Sequence, residues 1–123
     1  MSNEWKRFNL EKGYSYEEET SELVAKDNGK ILGFAKFSIT GGVSYLSQII
    51  VSKNNRRSGV GGLLLKEVER ISKSKGCHSV YLETSNKHSE ALKFYESKGY
   101  ALVSEFPNHK FHFTWYRFKK DLS

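Results

Sequence analysis

The chain has 123 residues, of which 37% are hydrophobic and 28% are charged, a balance typical of a soluble domain rather than of a disordered or membrane-spanning chain. Its single cysteine, Cys77, excludes an internal disulfide, and no apolar run is long enough to cross a bilayer or to form a signal-peptide core. We therefore predict one domain over residues 1–123, in a reducing, cytoplasmic compartment and without a membrane partner, and the formal net charge of +6 favours anionic partners.

Three consecutive antiparallel strands are predicted in the first clearly patterned part of the chain. They correspond to residues 21–27, 30–39 and 43–52. Asn28 and Gly29 separate the first two strands, and this dipeptide suits the positive φ angles of a tight hairpin turn. A Thr-Gly-Gly run turns the chain again before the third strand. Upstream, Ser-Tyr-Glu-Glu gives a weak capping signal for a helical turn at residues 15–18.

Two amphipathic helices are predicted in the second half of the chain. From Val60 to Ile71, apolar residues recur at steps of three and four, and Gly76 ends the helix. The second helix, over residues 89–98, ends in the same way at Gly99. Further strands are predicted at residues 79–85, 100–106 and 112–120. The order β-β-β-α-β-α-β-β predicts an α/β (α+β) fold, with a single mixed, mostly antiparallel sheet and helices on both faces.

The stretch R-R-S-G-V-G-G-L-L-L-K, residues 56–66, lies between the third strand and the first helix. The first turn of a helix has unpaired N–H groups and a partial positive charge, and it readily binds phosphate. Glycines let a ligand approach the backbone, and the two arginines add positive charge. A Walker loop needs Gly-Lys-Ser/Thr where Gly62-Leu63 stands, and a Rossmann loop needs glycine in place of Leu64. The loop therefore predicts a phosphate site of another kind.

The pattern Arg56-x-x-Gly59-x-Gly61 resembles the acyl-CoA-binding motif of the GNAT N-acetyltransferase family. Val51 stands where the family usually has a valine, five residues before the arginine, whereas Lys53 replaces a common proline.

A second motif lies downstream, at residues 91–100, where A-L-K-F-Y-E-S-K-G-Y resembles the second helix of the same family, with Ala91, Tyr95 and Gly99-Tyr100 at matching spacing. The resemblance covers about residues 21–120. It implies a GNAT-like acyl-CoA N-acyltransferase fold with a shortened N-terminal region.

The resemblance implies transfer of acetyl from acetyl-CoA to a primary amine of a small molecule or a protein, by direct attack in a ternary complex. It implies that the third strand binds pantetheine through its main chain and that the glycine loop binds the diphosphate. His88 stands where relatives often have asparagine, and either it or Asn86 contacts the cofactor or caps the helix. The implied cofactor-binding residues are Ile49, Ile50, Val51, Arg56, Arg57, Ser58, Gly59, Val60, Gly61, Gly62, Asn86, His88 and Tyr95.

Two proton transfers need catalytic groups. The family's matching tyrosine is often assigned as proton donor to the departing thiolate, which here implies Tyr95, although an aromatic at helical spacing is also a packing candidate. An amine of pKa ~10.4 must lose a proton, which at pH 7 costs ~4–5 kcal/mol. Many family members carry a glutamate on the strand before the glycine loop, but Y-L-S-Q-I-I-V contains no acid. Glu83 is the nearest alternative base, directly or through water, and the competing interpretation is a solvent-facing strand residue.

The partners of the chain are less well defined by its sequence. His109 and His112 lack further ligands nearby, so we expect no metal. The acids between Glu17 and Glu22 can attract a cationic amine, but a solvated charge run is the preferred interpretation. With only about 20 residues before the first strand, the roof of an acceptor site is short, absent or supplied by another subunit.

The aromatic run F-H-F-T-W-Y-R-F, residues 111–118, admits several interpretations. It fits a strand buried on both sides, a contact in a homodimer, or a stacking surface for nucleic acid. We favour the buried strand because of its alternation and closing position. A CoA-binding or nucleic-acid-binding module without catalysis remains the alternative to an enzyme.

Overall fold

The sheet is mixed and mostly antiparallel, as the sequence predicts. The structure is a computed structural model that describes residues 17–122. Its strands are β1 (Glu19–Asp27), β2 (Lys30–Thr40), β3 (Val43–Val51), β4 (Ser79–Ser85), β5 (Ala101–Phe106) and β6 (Trp115–Asp121). They lie in the order β1-β2-β3-β4-β6-β5. Among these neighbours, β3 and β4 run parallel, and all the others pair antiparallel.

Two tight turns join the first three strands at the predicted positions. Asn28 and Gly29 have φ angles of 50° and 81° between β1 and β2. Gly41 and Gly42, with φ angles of 61° and 80°, join β2 to β3. Positive φ at both central residues matches the right-handed twist of the paired strands, so these turns set the register of the predicted meander.

Helices α1 (Val60–Ser74) and α2 (Ser89–Ser97) confirm the two predicted helical segments. Both are followed by a glycine with positive φ, Gly76 at 86° and Gly99 at 92°. The apolar stripe of α1 and the buried face of α2 meet one core together with residues from the sheet. The buried core residues are Ala35, Phe37, Leu46, Val60, Leu64, Leu65, Val68, Val80, Leu82, Tyr95, Tyr100 and Phe118.

Both described helices lie on one face of the sheet. Helix α1 connects β3 to β4, and α2 connects β4 to β5, which runs parallel to β4 because both are antiparallel to β6. Two right-handed crossovers that progress in the same direction place their helices on the same face. Within residues 17–122 no α-helix covers the other face, and most of the predicted turn at residues 15–18 lies outside the described part of the chain.

The last strand begins three residues later than predicted. Residues Lys110–His112 form a tight turn in which Phe111 and His112 have positive φ angles of 58° and 59°. Trp115 then opens β6, and its indole Nε1–H donates to the Lys110 carbonyl at 2.9 Å. Phe118 is buried in the core, whereas Phe111 is 78% exposed. The aromatic run is therefore divided between an exposed turn and a core strand.

Candidate functional site

The central feature of the site is a gap between two parallel strands. β3 and β4 pair only from Val43 to Tyr45 on β3, the last pair being Tyr45 with Tyr81. Beyond it, β3 continues beside β2 alone. Leu46 and Gln48 pair with consecutive residues of β2, which leaves Ser47 as a bulge, and a bulge bends its strand and increases the local twist. The parting exposes main-chain groups of β3 that another strand or an extended ligand can bind.

The glycine turn at the end of β3 presents the open start of α1 to this gap. Gly59, at φ 91°, is the N-cap of the helix, and no side chain caps it. The first intrahelical bond runs from the Leu63 N–H to the Gly59 carbonyl at 3.1 Å. The N–H groups of residues 60–62 therefore precede the first intrahelical bond and are available to an anion.

A cleft of about 860 Å³ joins the end of β3, the glycine turn and α2. Most of the predicted cofactor-binding residues line it, namely Ile49, Val51, Arg56, Arg57, Gly59, Gly61, Gly62 and Tyr95. A Cβ at Gly61 would lie 3.4 Å from the Phe94 ring and 3.6 Å from Val51. An added methyl group would therefore fit in van der Waals contact and fill the space between α1 and α2 at this point.

The rim of the cleft is positively charged. The Arg56 Nε–H donates to the Val51 carbonyl at 3.4 Å, and Arg57 Nη2 lies 3.3 Å from Glu90 Oε1. Both side chains of the second pair are highly exposed, so the pair is screened and leaves Arg57 free to exchange partners. Lys93 of α2 and Lys98, directly after that helix, add further positive charge.

Tyr95 is the buried titratable residue among those that line the cleft. Only 6% of the residue is exposed, and its ring packs edge-on against Phe94 and Tyr100, with centroids 5.2 and 5.8 Å apart. Burial raises the pKa of Tyr95 to about 12. Its hydroxyl makes no hydrogen bond within residues 17–122. At neutral pH the side chain therefore holds its proton and can donate it to a ligand in the cleft.

Glu83 lies on the opposite face of the sheet from Tyr95. Leu82 and Thr84 are buried beneath the helices, so the alternation of a strand directs Glu83 to the other face. It is two residues beyond Tyr81, where β3 and β4 part. Its Oε2 lies 3.5 Å from Arg117 Nη2. The two predicted catalytic side chains therefore flank the parting of the strands from opposite faces.

An aromatic and cationic cluster surrounds Glu83 on this face. Tyr45 and Tyr81 stack with centroids 4.9 Å apart, and the Arg117 guanidinium lies 5.3 Å from the centre of the Tyr81 ring. Burial, followed by the nearby Glu83 charge, raises the pKa of the Tyr45 hydroxyl. With these neighbours, 24% of the Glu83 side chain remains exposed.

Comparison with known proteins identifies the family. Residues 2–100 match the sequence profile of the Acetyltransferase (GNAT) family. The chain belongs to the GNAT family. The resemblance inferred from the glycine loop and the second helix is thereby confirmed, and the match extends over most of the chain.

Two curated relatives illustrate this kinship. The chain is 32% identical over 89 residues to the uncharacterized N-acetyltransferase YjcF of Bacillus subtilis (strain 168), covering 72% of this chain and 61% of that protein. It is 35% identical over 88 residues to glucosamine 6-phosphate N-acetyltransferase of Trypanosoma brucei brucei, covering 66% and 58%. The chain thus spans about six tenths of the length of these relatives.

Solved structures share the GNAT fold. An acetyltransferase from Bacillus cereus ATCC 14579 superposes with a TM-score of 0.82 at 27% identity, covering 98% of this chain and 87% of that chain. The paiA N-acetyltransferase from Thermoplasma acidophilum, solved in complex with coenzyme A, has a TM-score of 0.72 at 20% identity, covering 83% and 60%. The second likeness is one of fold alone. The predicted GNAT-like fold is confirmed.

The other predicted cofactor-binding residues do not line the cleft with their side chains. Those that do not line it are Ile50, Ser58, Val60, Asn86 and His88. The Ile50 side chain is 54% exposed, and Val60 is buried in the core, so either can contribute to the cleft only through its main chain. The Ser58 hydroxyl donates to the Asn55 carbonyl and holds the turn instead.

Asn86 and His88 lie at the end of β4, where they organise the entry to α2. The Asn86 Oδ1 accepts the Thr114 N–H at 3.1 Å, and the Asn86 N–H donates to the Thr114 carbonyl at 2.9 Å. His88 is the N-cap residue of α2, but its side chain makes no capping bond. Asn86 therefore joins α2 to the segment before β6, which is a structural role beside the predicted one.

Sequence reasoning missed several cleft residues on α2. They are Glu90, Ala91, Lys93, Phe94, Ser97 and Lys98. The spacing of Glu90, Phe94 and Ser97 by four and three residues is the signal that places them on one helical face beside Tyr95. The glycine motif drew attention to α1, whereas half of the cleft wall comes from α2.

Other predicted features lie away from the cleft. His109 precedes the turn before β6, and the His112 Nδ1 lies 2.9 Å from the Asn108 Oδ1. Among residues 17–122, no group of three His, Cys, Asp or Glu side chains is placed to hold a metal ion. Glu19 of the acidic segment lies on the edge strand β1 and forms an ion pair with Lys75, which directly follows α1. Neither described helix combines the length and the apolar character that crossing a membrane requires.

The burial of Tyr95 predicts a loss of stability in alkali. Its pKa is about 12 in the folded chain and ~10 when unfolded. Above pH 10 the unfolded state releases the Tyr95 proton, whereas the folded state retains it. The contribution of Tyr95 to the free energy of unfolding is therefore full below pH 10 and is lost between pH 10 and 12, by up to ~1.4 kcal/mol per pH unit. Urea unfolding at pH 8, 10 and 11 measures this slope. The Tyr95→Phe variant should show a smaller slope, and equal slopes would contradict the burial of this hydroxyl.

Proposed function

We propose that this chain transfers the acetyl group of acetyl-CoA to a primary amine of a small molecule or a protein, by direct attack in a ternary complex. The observation that carries the proposal is the single cleft in which an uncapped helix start, the free edge of a parted strand and a protonated tyrosine meet. These are the three features that a diphosphate, an extended pantetheine and a departing thiolate require.

Binding of acetyl-CoA is assigned to main-chain groups and arginines. The N–H groups of residues 60–62 and the side chains of Arg56 and Arg57 suit a diphosphate, because helix dipole and guanidinium charge act together there. Pantetheine then extends along residues 49–51, where β3 has lost β4 as a partner. Pantetheine contains amides, which can pair with the free strand edge as another strand does.

The reaction forms a C–N bond and breaks a C–S bond. The neutral amine attacks the thioester carbonyl carbon, and the oxygen that becomes negative is stabilised by a main-chain N–H of Ile50 or Val51. As the intermediate collapses, its nitrogen releases the second amine proton to solvent, and the thiolate leaves and takes a proton from the Tyr95 hydroxyl. Tyr95 regains a proton from solvent. A phenol that keeps its proton at every physiological pH is suited to this role. Because burial raises the pKa of Tyr95, the hydroxyl first donates a hydrogen bond to the sulfur and transfers its proton only late in the step.

The proton of the acceptor ammonium goes to Glu83, directly or through one water. The support is its place beside the parting of β3 and β4, on the face that acetyl-CoA does not occupy. An amine that approaches from this face meets the carboxylate before it meets the thioester. Arg117 holds the carboxylate in position at 3.5 Å without occupying both of its oxygens.

The acceptor class stays open between small molecules and proteins. The trypanosomal relative is named for glucosamine 6-phosphate, whereas another relative, 33% identical over 78 residues, is N-alpha-acetyltransferase 60 of Xenopus tropicalis. We further propose one domain over residues 1–123, no metal requirement, and a cytoplasmic setting, because Cys77 is free and buried. A homodimer through the exposed edge strand β5, with Leu102 and Val103 over half exposed, is proposed to contribute to the roof of the acceptor site.

A combined binding and turnover experiment tests the proposal. Acetyl-CoA is titrated while the backbone amides of residues 57–62 are followed by NMR, and thiol release is then measured with a panel of amino sugars, polyamines, amino acids and peptides. We expect saturable shifts at these amides and amine-dependent release of CoA. Shifts without release with any amine would indicate a non-catalytic CoA-binding module. Unperturbed amides together with tight, salt-sensitive binding of RNA or DNA would favour a nucleic-acid module.

A further inference from the structure

A second cavity of about 290 Å³ opens on the other side of the glycine turn. It lies between α1 and the end of α2, and it shares Gly59, Gly62 and Lys98 with the acetyl-CoA cleft. Lys66 and Lys120 line only this second cavity. The two cavities therefore meet at the start of α1, where the diphosphate is proposed to bind.

The charge of this cavity is strongly unbalanced. Its one lining carboxylate, Glu69, is already engaged, because Oε1 accepts from the Lys120 Nζ at 3.0 Å and Oε2 from the Tyr100 hydroxyl at 2.8 Å. Within residues 17–122, neither Lys66 nor Lys98 forms an ion pair. Two ammonium groups thus lie at one cavity without a carboxylate partner.

Lys98 is exposed, and its side chain lies over the helix start. Its Nζ lies 3.3 Å from the position that a Cβ of Gly62 would take, and 5.8 Å from the centre of the Phe94 ring. Lys66 follows Gly62 by one turn of α1, on the same side of the helix. The two lysines consequently extend the positive charge of the glycine turn along α1, away from the strand gap.

A second anionic group placed just beyond the diphosphate fits this arrangement. In CoA, the ribose that follows the diphosphate carries a 3′-phosphate monoester, which is dianionic or nearly so at neutral pH. Pantetheine leaves the diphosphate on the other side, toward the gap between β3 and β4. We propose that Lys66 and Lys98, backed by the Glu69–Lys120 pair, bind this 3′-phosphate and make the chain select CoA over dephospho-CoA. The inference rests on the proposed function and adds a specificity determinant to it.

Lysine variants compared on two ligands test this assignment. Calorimetric Kd values are measured for CoA and 3′-dephospho-CoA with the unmodified chain, Lys66→Met, Lys98→Met and Lys73→Met. Lys73 lies on α1 but does not line the cavity, so it is the matched control. We expect the unmodified chain to bind CoA about tenfold more tightly than dephospho-CoA, since charge-assisted bonds to phosphate are the strong ones.

The pattern across variants separates the lysines. Lys66→Met should raise the Kd of CoA by about five- to tenfold and leave the Kd of dephospho-CoA unchanged. Lys98→Met should raise the Kd of both ligands, and that of CoA by more, because Lys98 lines both cavities. Lys73→Met should change neither. Adenosine 3′,5′-bisphosphate should compete with CoA better than 5′-ADP or inorganic phosphate does.

Several outcomes would overturn the assignment. Equal affinity of the unmodified chain for CoA and dephospho-CoA, or an equal loss of both in Lys66→Met, would refute the 3′-phosphate site while leaving acetyl transfer intact. Competition by inorganic phosphate as strong as that by the bisphosphate would indicate a general anion site instead. Failure of CoA to bind at all would reject the proposed function together with this inference.

Discussion

Tyr95→Phe is expected to lower kcat by about 10²- to 10³-fold and to change the Kd of acetyl-CoA by less than about threefold. Tyr95 lines the cleft, and its ring packs against Phe94 and Tyr100. Phenylalanine keeps the ring and removes only the proton donor. If Tyr95 acts on the departing thiolate, the loss appears in the chemical step and not in the binding of acetyl-CoA. Single-turnover acetyl transfer, with calorimetric binding alongside, separates the two.

Tyr100→Phe is the matched control for this experiment. Tyr100 is also buried, and its pKa is raised by burial and then by its hydrogen bond to Glu69. It does not line the acetyl-CoA cleft. Its phenylalanine variant should lose stability, by about 1–3 kcal/mol for a hydrogen bond to a charged group, while kcat stays near that of the unmodified chain. Equal losses of kcat in the two variants, or a loss of acetyl-CoA affinity in Tyr95→Phe that matches its loss of kcat, would make Tyr95 a packing residue.

Local sequence signals predicted the fold because each element carries its own start and stop. Asn28-Gly29 has the positive φ angles that its hairpin requires, and Gly76 and Gly99 follow the two helices as predicted. The predicted start of β6 was wrong. The positive φ angles at Phe111 and His112 are imposed by the turn and not by residue preference. Aromatic residues favour strands, so composition alone could not reveal this turn.

The site was only partly predictable because it depends on contacts between distant segments. The glycine turn is local, and its sequence alone indicated a phosphate site. The charge on α2 was missed because Lys98 reaches the glycine turn only after the two helices pack across Gly62. The face on which Glu83 lies also required the register of β4, since a strand residue can point to either side. The bulge at Ser47 left no sequence signal that we recognised.

Glu83→Gln should lower kcat/KM by about 10- to 100-fold near pH 7. The loss of kcat/KM should become smaller as the pH approaches the pKa of the acceptor amine. An acceptor amine of pKa ~10.4 is protonated at neutral pH and needs a base to remove its proton, whereas at high pH it is already neutral. Glutamine preserves the shape of the side chain and can still bind Arg117, so stability should change little. Steady-state rates between pH 6.5 and 9.5 test this, with acetyl-CoA saturating.

Two further variants decide whether Glu83 acts on the substrate or only on its neighbour. Glu22→Gln removes an exposed strand carboxylate of the acidic segment, far from the gap between β3 and β4, and should leave the rate unchanged at every pH. Arg117→Met removes the ion-pair partner that positions Glu83 but keeps the carboxylate, so it should lose less rate than Glu83→Gln and should still be more impaired at low pH than at high pH. If Glu83→Gln and Arg117→Met instead lose rate equally and at all pH values, the carboxylate serves to anchor Arg117. A water chain or the main chain must then accept the proton, because β3 offers no acid at the gap.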